Sequence, residues 1–136
     1  DAMKVRPDVV FVDYLQLVQM PGVHKLNERI GAISNRFAAE AHRHGIAFVA
    51  ISQMSRDVEK FPGQAGGRLP VMADLFGSTD LEYGADVVLM LHRPDRDKNE
   101  VLAILAKNRE GPDGKMTRLT VHAEIAFTEE ATGGGI

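Results

Sequence analysis

The chain has 136 residues, with 16 Lys+Arg against 19 Asp+Glu, a net charge of −3, 44% hydrophobic and 26% charged residues, and no cysteine. Such a length holds one domain of ordinary size, and the composition excludes disordered, collagen-like and coiled-coil classes. Without cysteine, disulfides, thiolate-bound zinc and thiol catalysis are excluded, and the charge excludes a domain that coats nucleic acid by bulk positive charge.

A focused basic loop on an acidic body remains compatible with that balance. The longest apolar runs, Val9–Val12 and Ile46–Ile51, are far short of the ~20 residues of a membrane-spanning helix. No segment has the basic, apolar, small-residue order of a signal peptide, so no membrane partner is expected. The missing cysteines suit a reducing compartment, and the cytoplasm is the expected location. The sequence begins at Asp1 rather than Met and enters a strand within eight residues, which raises the expectation of a piece of a longer chain. Residues 1–130 are read as the domain body and 131–136 as a flexible Gly-rich tail.

In chain order, Pro7 blocks helix and Val9-Val10-Phe11-Val12 reads as a strand buried on both faces, as in a parallel sheet. Asp13 follows directly, then a loop from Tyr14 to His24 with a Pro21-Gly22 turn. Lys25 to His44 is the clearest helix. Leu26, Ile30, Ile33, Phe37 and Ala41 make one apolar stripe at helical spacing. His42, Arg43 and His44 suit its C-terminal dipole, and Gly45 stops it. Ile46 to Ile51 is a second buried strand, ending at Ser52-Gln53. Strand, helix, strand with apolar strands is a βαβ unit, so these two strands should pair in parallel.

Met54 to Ala73 is a long loop rich in Gly and Pro, made locally basic by Arg56, Lys60 and Arg68. Asp74 to Gly84 should hold a short helix capped by Ser78 or Asp80. Val87 to Leu91 is a third buried strand, and Pro94 to Glu100 a charged turn. Val101 to Lys107 and Met116 to Val121 flank Gly111-Pro112-Asp113-Gly114, a hairpin signal that ends the sheet with antiparallel strands. Glu124 to Phe127 is a candidate further strand.

Several constellations suggest chemistry. Asp13 stands directly after a strand, at the carboxyl edge where open α/β sheets bind ligands. A carboxylate there can hold Mg²⁺ directly or through water beside a phosphate, or can equally start a loop by bonding backbone amides. Ser52-Gln53 leaves the neighbouring strand at the same edge. The Gln amide can sense a terminal phosphate or orient water, although a polar residue ending a strand is the commoner case. Lys107 and Arg109 are two apart, so they project to one side of a strand end and suit a phosphate. On the residues alone, two solvated edge charges are the stronger reading. The basic residues of the 54–73 loop could track a phosphate backbone, with Asp57 and Glu59 weakening that argument.

Gly114-Lys115 before Met116-Thr117 is no P-loop. Arg109 stands where that motif needs its first Gly, and the context is strand to strand rather than strand to helix. His42 and His44 are two apart on a helix and do not face one another. No Ser-His-Asp or His-Glu-x-x-His arrangement is present.

Taken together, these segments resemble one family. Val9-Val10-Phe11-Val12-Asp13-Tyr14-Leu15-Gln16-Leu17 is similar to the Walker B segment of DnaB-type replicative helicases. Ile51-Ser52-Gln53-Met54-Ser55-Arg56 resembles the family's Ser-Gln motif. Asp74-Leu75 through Ala85-Asp86, with Ser78, Glu82, Ala85 and Asp86, resembles the segment before the third strand. Ala106-Lys107-Asn108-Arg109-Glu110-Gly111-Pro112 resembles its Lys-x-Arg-x-Gly-Pro motif. Order and spacing agree from about Pro7 to Phe127. Recombinases and clock-type ATPases fit less well, because of the Asp-Tyr-Leu-Gln run and the Lys-x-Arg-x-Gly-Pro segment.

The resemblance implies an α/β, RecA-like ATPase domain: a mostly parallel sheet flanked by helices, closed by an antiparallel hairpin, with the N-terminal strands and P-loop missing from this sequence. It implies a homo-hexameric ring that unwinds duplex DNA with ATP and Mg²⁺ along single-stranded DNA, with primase and a helicase loader as further partners. By similarity, Asp13 organises Mg²⁺, Ser52 and Gln53 meet the nucleotide, and Gln53 senses its γ-phosphate. Lys107 and Arg109 reach the neighbouring subunit's ATP, Arg109 as the arginine finger. Arg56, Arg68, Gly77 and Ser78 fall in DNA-contacting segments. The sequence departs from the family in two places. No Walker A loop precedes Walker B, so the isolated chain is expected to bind and turn over ATP poorly. Phe76-Gly77-Ser78-Thr79 stands where the family carries Arg-Glu-Ser-Gly. The alternative expectation is a truncated RecA-like module that binds subunits or nucleic acid without ATPase activity.

Overall fold

The computed structural model describes residues 6–55, 68–75, 78–122 and 128–129. Its elements are β1 (Val9–Val12), α1 (Leu26–His44), β2 (Ala47–Ala50), α2 (Ser78–Gly84), β3 (Val87–His92), β4 (Glu100–Asn108), β5 (Met116–Thr120) and β6 (Thr128–Glu129), with single 3-10 turns at Leu15–Leu17 and Met72–Asp74. The chain divides into two compact units: Asp1–Ser55 with Leu75–Ala85, and Arg56–Asp74 with Asp86–Ile136.

In the first unit, β1 and β2 pair in parallel, with Val9 opposite Ala47 and Val12 opposite Ala50. The right-handed crossover preference of βαβ units explains why the intervening apolar-striped helix packs back on the strands. The stripe is the core: Ile30 is 0% and Ile33 2% exposed. Both join Leu15 and Leu81, with Val12, Val18, Met20, Leu26, Phe37 and Leu75 around them. Phe37 of α1 stacks on Phe48 of β2 at a ring separation of 4.6 Å. Gly45 ends α1 in the left-handed conformation (φ 60°), its N–H donating to the Ala41 carbonyl, a geometry that side chains with a Cβ resist.

α2 lies against α1. Two glycines set the approach. A Cβ on Gly31 would fall 3.0 Å from the Asp80 Cβ, and one on Gly84 would fall 2.5 Å from the Ser34 Oγ. Neither expected cap stands at the cap position, since Ser78 is already the first helical residue and Asp80 lies in the first turn. Leu75 also forms an antiparallel bridge with Met54.

The strands expected to be buried on both faces are not. Phe11 is 76% exposed, and Val9, Val49 and Ile51 are also exposed. The reason is the layering: among the described residues of this unit, helices cover one face of a two-stranded ribbon, and alternation sends every second side chain to the other.

In the second unit, β3, β4, β5 and β6 form an antiparallel sheet in that order. The antiparallel part therefore begins at β3 and is larger than one hairpin. β3 alternates strictly: Val88, Met90 and His92 are buried while Val87, Leu89 and Leu91 are exposed, so it too is covered on one face only. The Gly111–Gly114 turn closes as expected. The Gly114 N–H donates to the Leu105 carbonyl, the Leu105 N–H to the Lys115 carbonyl, and Gly114 takes φ 73°. The charged turn before β4 is held by Arg93, whose guanidinium donates to the Arg96 and Lys98 carbonyls. The candidate strand Glu124 to Phe127 lies outside the described residues.

Candidate functional site

Parallel pairing puts the carboxyl ends of β1 and β2 at one edge. The ladder continues past them, with the Ile51 N–H donating to the Val12 carbonyl and the Leu15 N–H to the Ile51 carbonyl, each 2.9 Å. Asp13 stands between those two bonds, exposed, and the Asp13–Tyr14 peptide is cis. Ser52 and Gln53 leave β2 directly beyond Ile51. The structure thus brings together three residues that sequence reasoning placed at one edge.

A fourth residue joins them. The Gln16 side-chain amide donates from Nε2 to the Ser52 Oγ (3.1 Å), and its Oε1 accepts from the Gln53 N–H (3.3 Å). Arg29 of α1 holds Gln16 in turn. One Nη donates to the Gln16 carbonyl (3.1 Å) and the other to the Gln19 Oε1 (3.3 Å). Gln16 and Arg29 do not stand out in the sequence for their chemistry. The only signal is the place of Gln16 in the Asp-Tyr-Leu-Gln run.

Lys107 and Arg109 belong to the second unit. β4 pairs with β3 in register, Val87 to Asn108 and Val88 to Lys107, and then slips by one residue between Val88 and Leu89, which faces Leu105. Ala106 is the extra residue of this bulge. A bulge bends the strand and re-aims the side chains after it, so the simple alternation rule does not carry from Leu105 to Lys107. The Arg109 N–H donates to the Asp86 carbonyl (2.8 Å), and its guanidinium forms an ion pair with the Asp86 carboxylate. Both side chains are more than half exposed.

Arg68 makes a two-pronged contact with Asp74, at 2.6 and 2.5 Å, and also donates to the Leu69 carbonyl. Asp74 is buried and additionally accepts from the Val71 N–H at 2.7 Å. The hydrogen bonds from Arg68 hold its carboxyl below the usual carboxylate range, with the Val71 amide adding to the effect against the opposing pull of burial. Arg68 is therefore occupied inside its own loop. Arg56 and Gly77 lie outside the described residues, and of Ser78 only the backbone, at the start of α2, is described. No group of three His, Cys, Asp or Glu that could hold a metal occurs among the described residues, and no helix there is long and apolar enough to cross a membrane.

A parallel βαβ unit with a carboxylate and a Ser-Gln pair at its carboxyl edge, together with antiparallel C-terminal strands, is the later part of a RecA-like ATPase fold. Two solved structures superpose on the chain. One is an isolated ATPase domain (TM-score 0.71, 31% identity, 82% of this chain and 40% of that one). The other is a DnaB-like replicative helicase described with its interactions with primase (TM-score 0.73, 30% identity, 85% of this chain and 28% of that one). The family model of the DnaB-like helicase C-terminal domain matches residues 2–129, and the chain belongs to that family. Among curated relatives, the replicative DNA helicase DnaB of Geobacillus stearothermophilus is 34% identical over 130 residues, covering 90% of this chain and 26% of its own length. That of Treponema pallidum is 40% identical over 107 residues, covering 78% of this chain and 23% of its own length. The chain thus spans about a quarter of the length of these relatives.

Proposed function

We propose that the chain works as part of an ATP-dependent replicative DNA helicase, a homo-hexameric ring in which it supplies part of each ATP site. The observation that carries this reading is the shared carboxyl edge, where Asp13 and Ser52-Gln53 are held side by side by the parallel pairing of β1 with β2. One exposed carboxylate suits Mg²⁺, which keeps several waters and takes one or two carboxylates plus phosphate oxygens. Bound there, the ion would neutralise charge on the phosphates. Asp13 holds it, through water. Ser52 offers a hydroxyl to the nucleotide, and the Gln53 amide reads the terminal phosphate. Lys107 and Arg109, carried by the β4 bulge and the turn after it, stabilise the charge that grows on the transferred phosphoryl group of the neighbouring subunit's ATP, Arg109 as the finger.

Single-stranded DNA is the track, with Arg56, Arg68, Gly77 and Ser78 the proposed contacts. A DNA phosphate would have to compete with Asp74 for Arg68. Primase and a loader are the further proposed partners; a structurally similar helicase is described with its interactions with primase.

The test is Arg109→Ala in the full-length helicase that carries this segment. Turnover should fall by about 10³-fold or more, the scale of an arginine finger, with ATP binding close to wild type. Normal turnover would refute the finger assignment. A second reading has the chain serving subunit or nucleic-acid contacts without turnover of its own. It is favoured by the absence of any Gly-x-x-x-x-Gly-Lys-Ser/Thr run in the 136 residues. Full-length protein that binds single-stranded DNA but hydrolyses no ATP would establish it.

A further inference from the structure

We infer that Gln16 is the positioning residue of the phosphate sensor: its amide clamps Ser52 and Gln53 and so ties the sensor to the Asp13 loop. The inference rests on the proposed role of Gln53. β2 ends at Ala50, and the last rungs of its ladder are made by Ile51. Beyond that point the backbone has no strand partner to fix it. Gln16 takes over there, with its donor on the Ser52 Oγ and its acceptor on the Gln53 N–H. A planar amide is suited to this because donor and acceptor stand at a fixed separation on one rigid group. The two contacts fall on consecutive residues, so they fix the direction in which the chain leaves the sheet, and with it the direction of the exposed Gln53 side chain.

The clamp is itself anchored. Gln16 lies within the Leu15–Leu17 turn, whose Leu15 is buried in the core beside Ile30 and Ile33. Its carbonyl is held by Arg29, one residue before Ile30 on α1. Arg29 is half-buried, and its Nε is buried without a partner. That cost is sustained by a guanidinium whose two other nitrogens are committed to Gln16 and Gln19. A rigid helix therefore fixes Gln16, and Gln16 fixes the sensor. Gln16 lies three residues past Asp13 on the same short segment, so displacement of Gln53 by a terminal phosphate is transmitted to the loop that carries the Mg²⁺ carboxylate.

The experiment measures steady-state ATP turnover of the full-length helicase with saturating single-stranded DNA. Gln16→Met keeps the length of the side chain and removes both hydrogen bonds. It should lower kcat about tenfold while the KM for ATP moves less than about twofold, the pattern of a contact that matters in the transition state rather than in binding. Gln16→Glu should retain most of the activity, because a carboxylate accepts from the Gln53 N–H and from a Ser52 hydroxyl turned donor. Adding Ser52→Ala to Gln16→Met should cost nothing further. Gln53→Ala separates the two claims. If Gln53→Ala turns over normally, the sensor reading falls and this inference falls with it. If Gln53→Ala is impaired and Gln16→Met is not, the clamp alone is overturned. Equal losses in Gln16→Met and Gln16→Glu, with a lowered unfolding midpoint in both, would also overturn it, since they would mark a purely structural side chain.

Discussion

Gly31→Ala sets two physical effects of opposite sign against each other. Gly31 is buried in the interior of α1, where replacing Gly by Ala normally stabilises a helix by about 1 kcal/mol. Here the added methyl would meet the Asp80 carboxylate oxygen, with the Asp80 Cγ at 2.7 Å and its Cβ at 3.0 Å. Rotation of the side chain relieves the first two contacts but not the third, because the Cβ is fixed to the backbone of α2. The helices must separate by a few tenths of an ångström, and such overpacking costs about 1–3 kcal/mol. The balance is a loss of about 1 kcal/mol, or roughly 3–5 °C in unfolding midpoint. Thermal or urea unfolding of the variant measures it. In an Asp80→Ala background the worst contacts are gone, so Gly31→Ala should there be neutral or stabilising. Gly84→Ala supplies the contrast, since the Ser34 Oγ at 2.5 Å can rotate away while the Ser34 Cβ stands at 3.7 Å. A Gly31→Ala variant more stable than the wild type, with Asp80 present, would refute the packing argument.

Two predictions concern pH. Asp74 is held below the ordinary carboxylate range by Arg68, so its contribution to stability is present above about pH 4, the unfolded value, and is lost as pH falls through the folded value. Asp74→Asn should lower stability at neutral pH and flatten the acid limb of a urea-unfolding series; an unchanged acid limb would remove Asp74 from that account. His92 is buried on β3, and burial pushes its imidazole below its ordinary range. Its unfolded form takes up a proton first, so stability should decline below about pH 6.5 and level off beneath the folded value. His92→Gln should remove that step, and a step of the same size in the variant would assign it to another group. The Arg109→Ala and Gln16→Met experiments complete the set, the first reading the trans contribution to turnover and the second the alignment of the sensor.

Local chemistry carries far in this chain. The stripe from Leu26 to Phe37 sets α1, Gly45 ends it, and the apolar runs on either side dictate two strands whose order forces parallel pairing. That pairing already places Asp13 and Gln53 at one edge, because parallel strands share their carboxyl ends. The short motifs at Asp13, Gln53 and Arg109 were legible for the same reason: each is a run of neighbours in sequence. Tertiary structure alone decided the rest. The amide of Gln16 meets Ser52 and Gln53 across more than thirty residues of chain, and nothing in local periodicity records such a contact. Arg68, one basic residue of a loop by composition, is committed to Asp74. The β4 bulge at Ala106, set by its register against β3, governs how Lys107 and Arg109 are aimed. Burial diverged most. Alternation and hydrophobicity cannot say how many layers cover a strand, so Phe11, Leu89 and Leu91 read as buried but are exposed within their units. Sequence determines what a segment is able to bury; only the packed fold determines which face is covered.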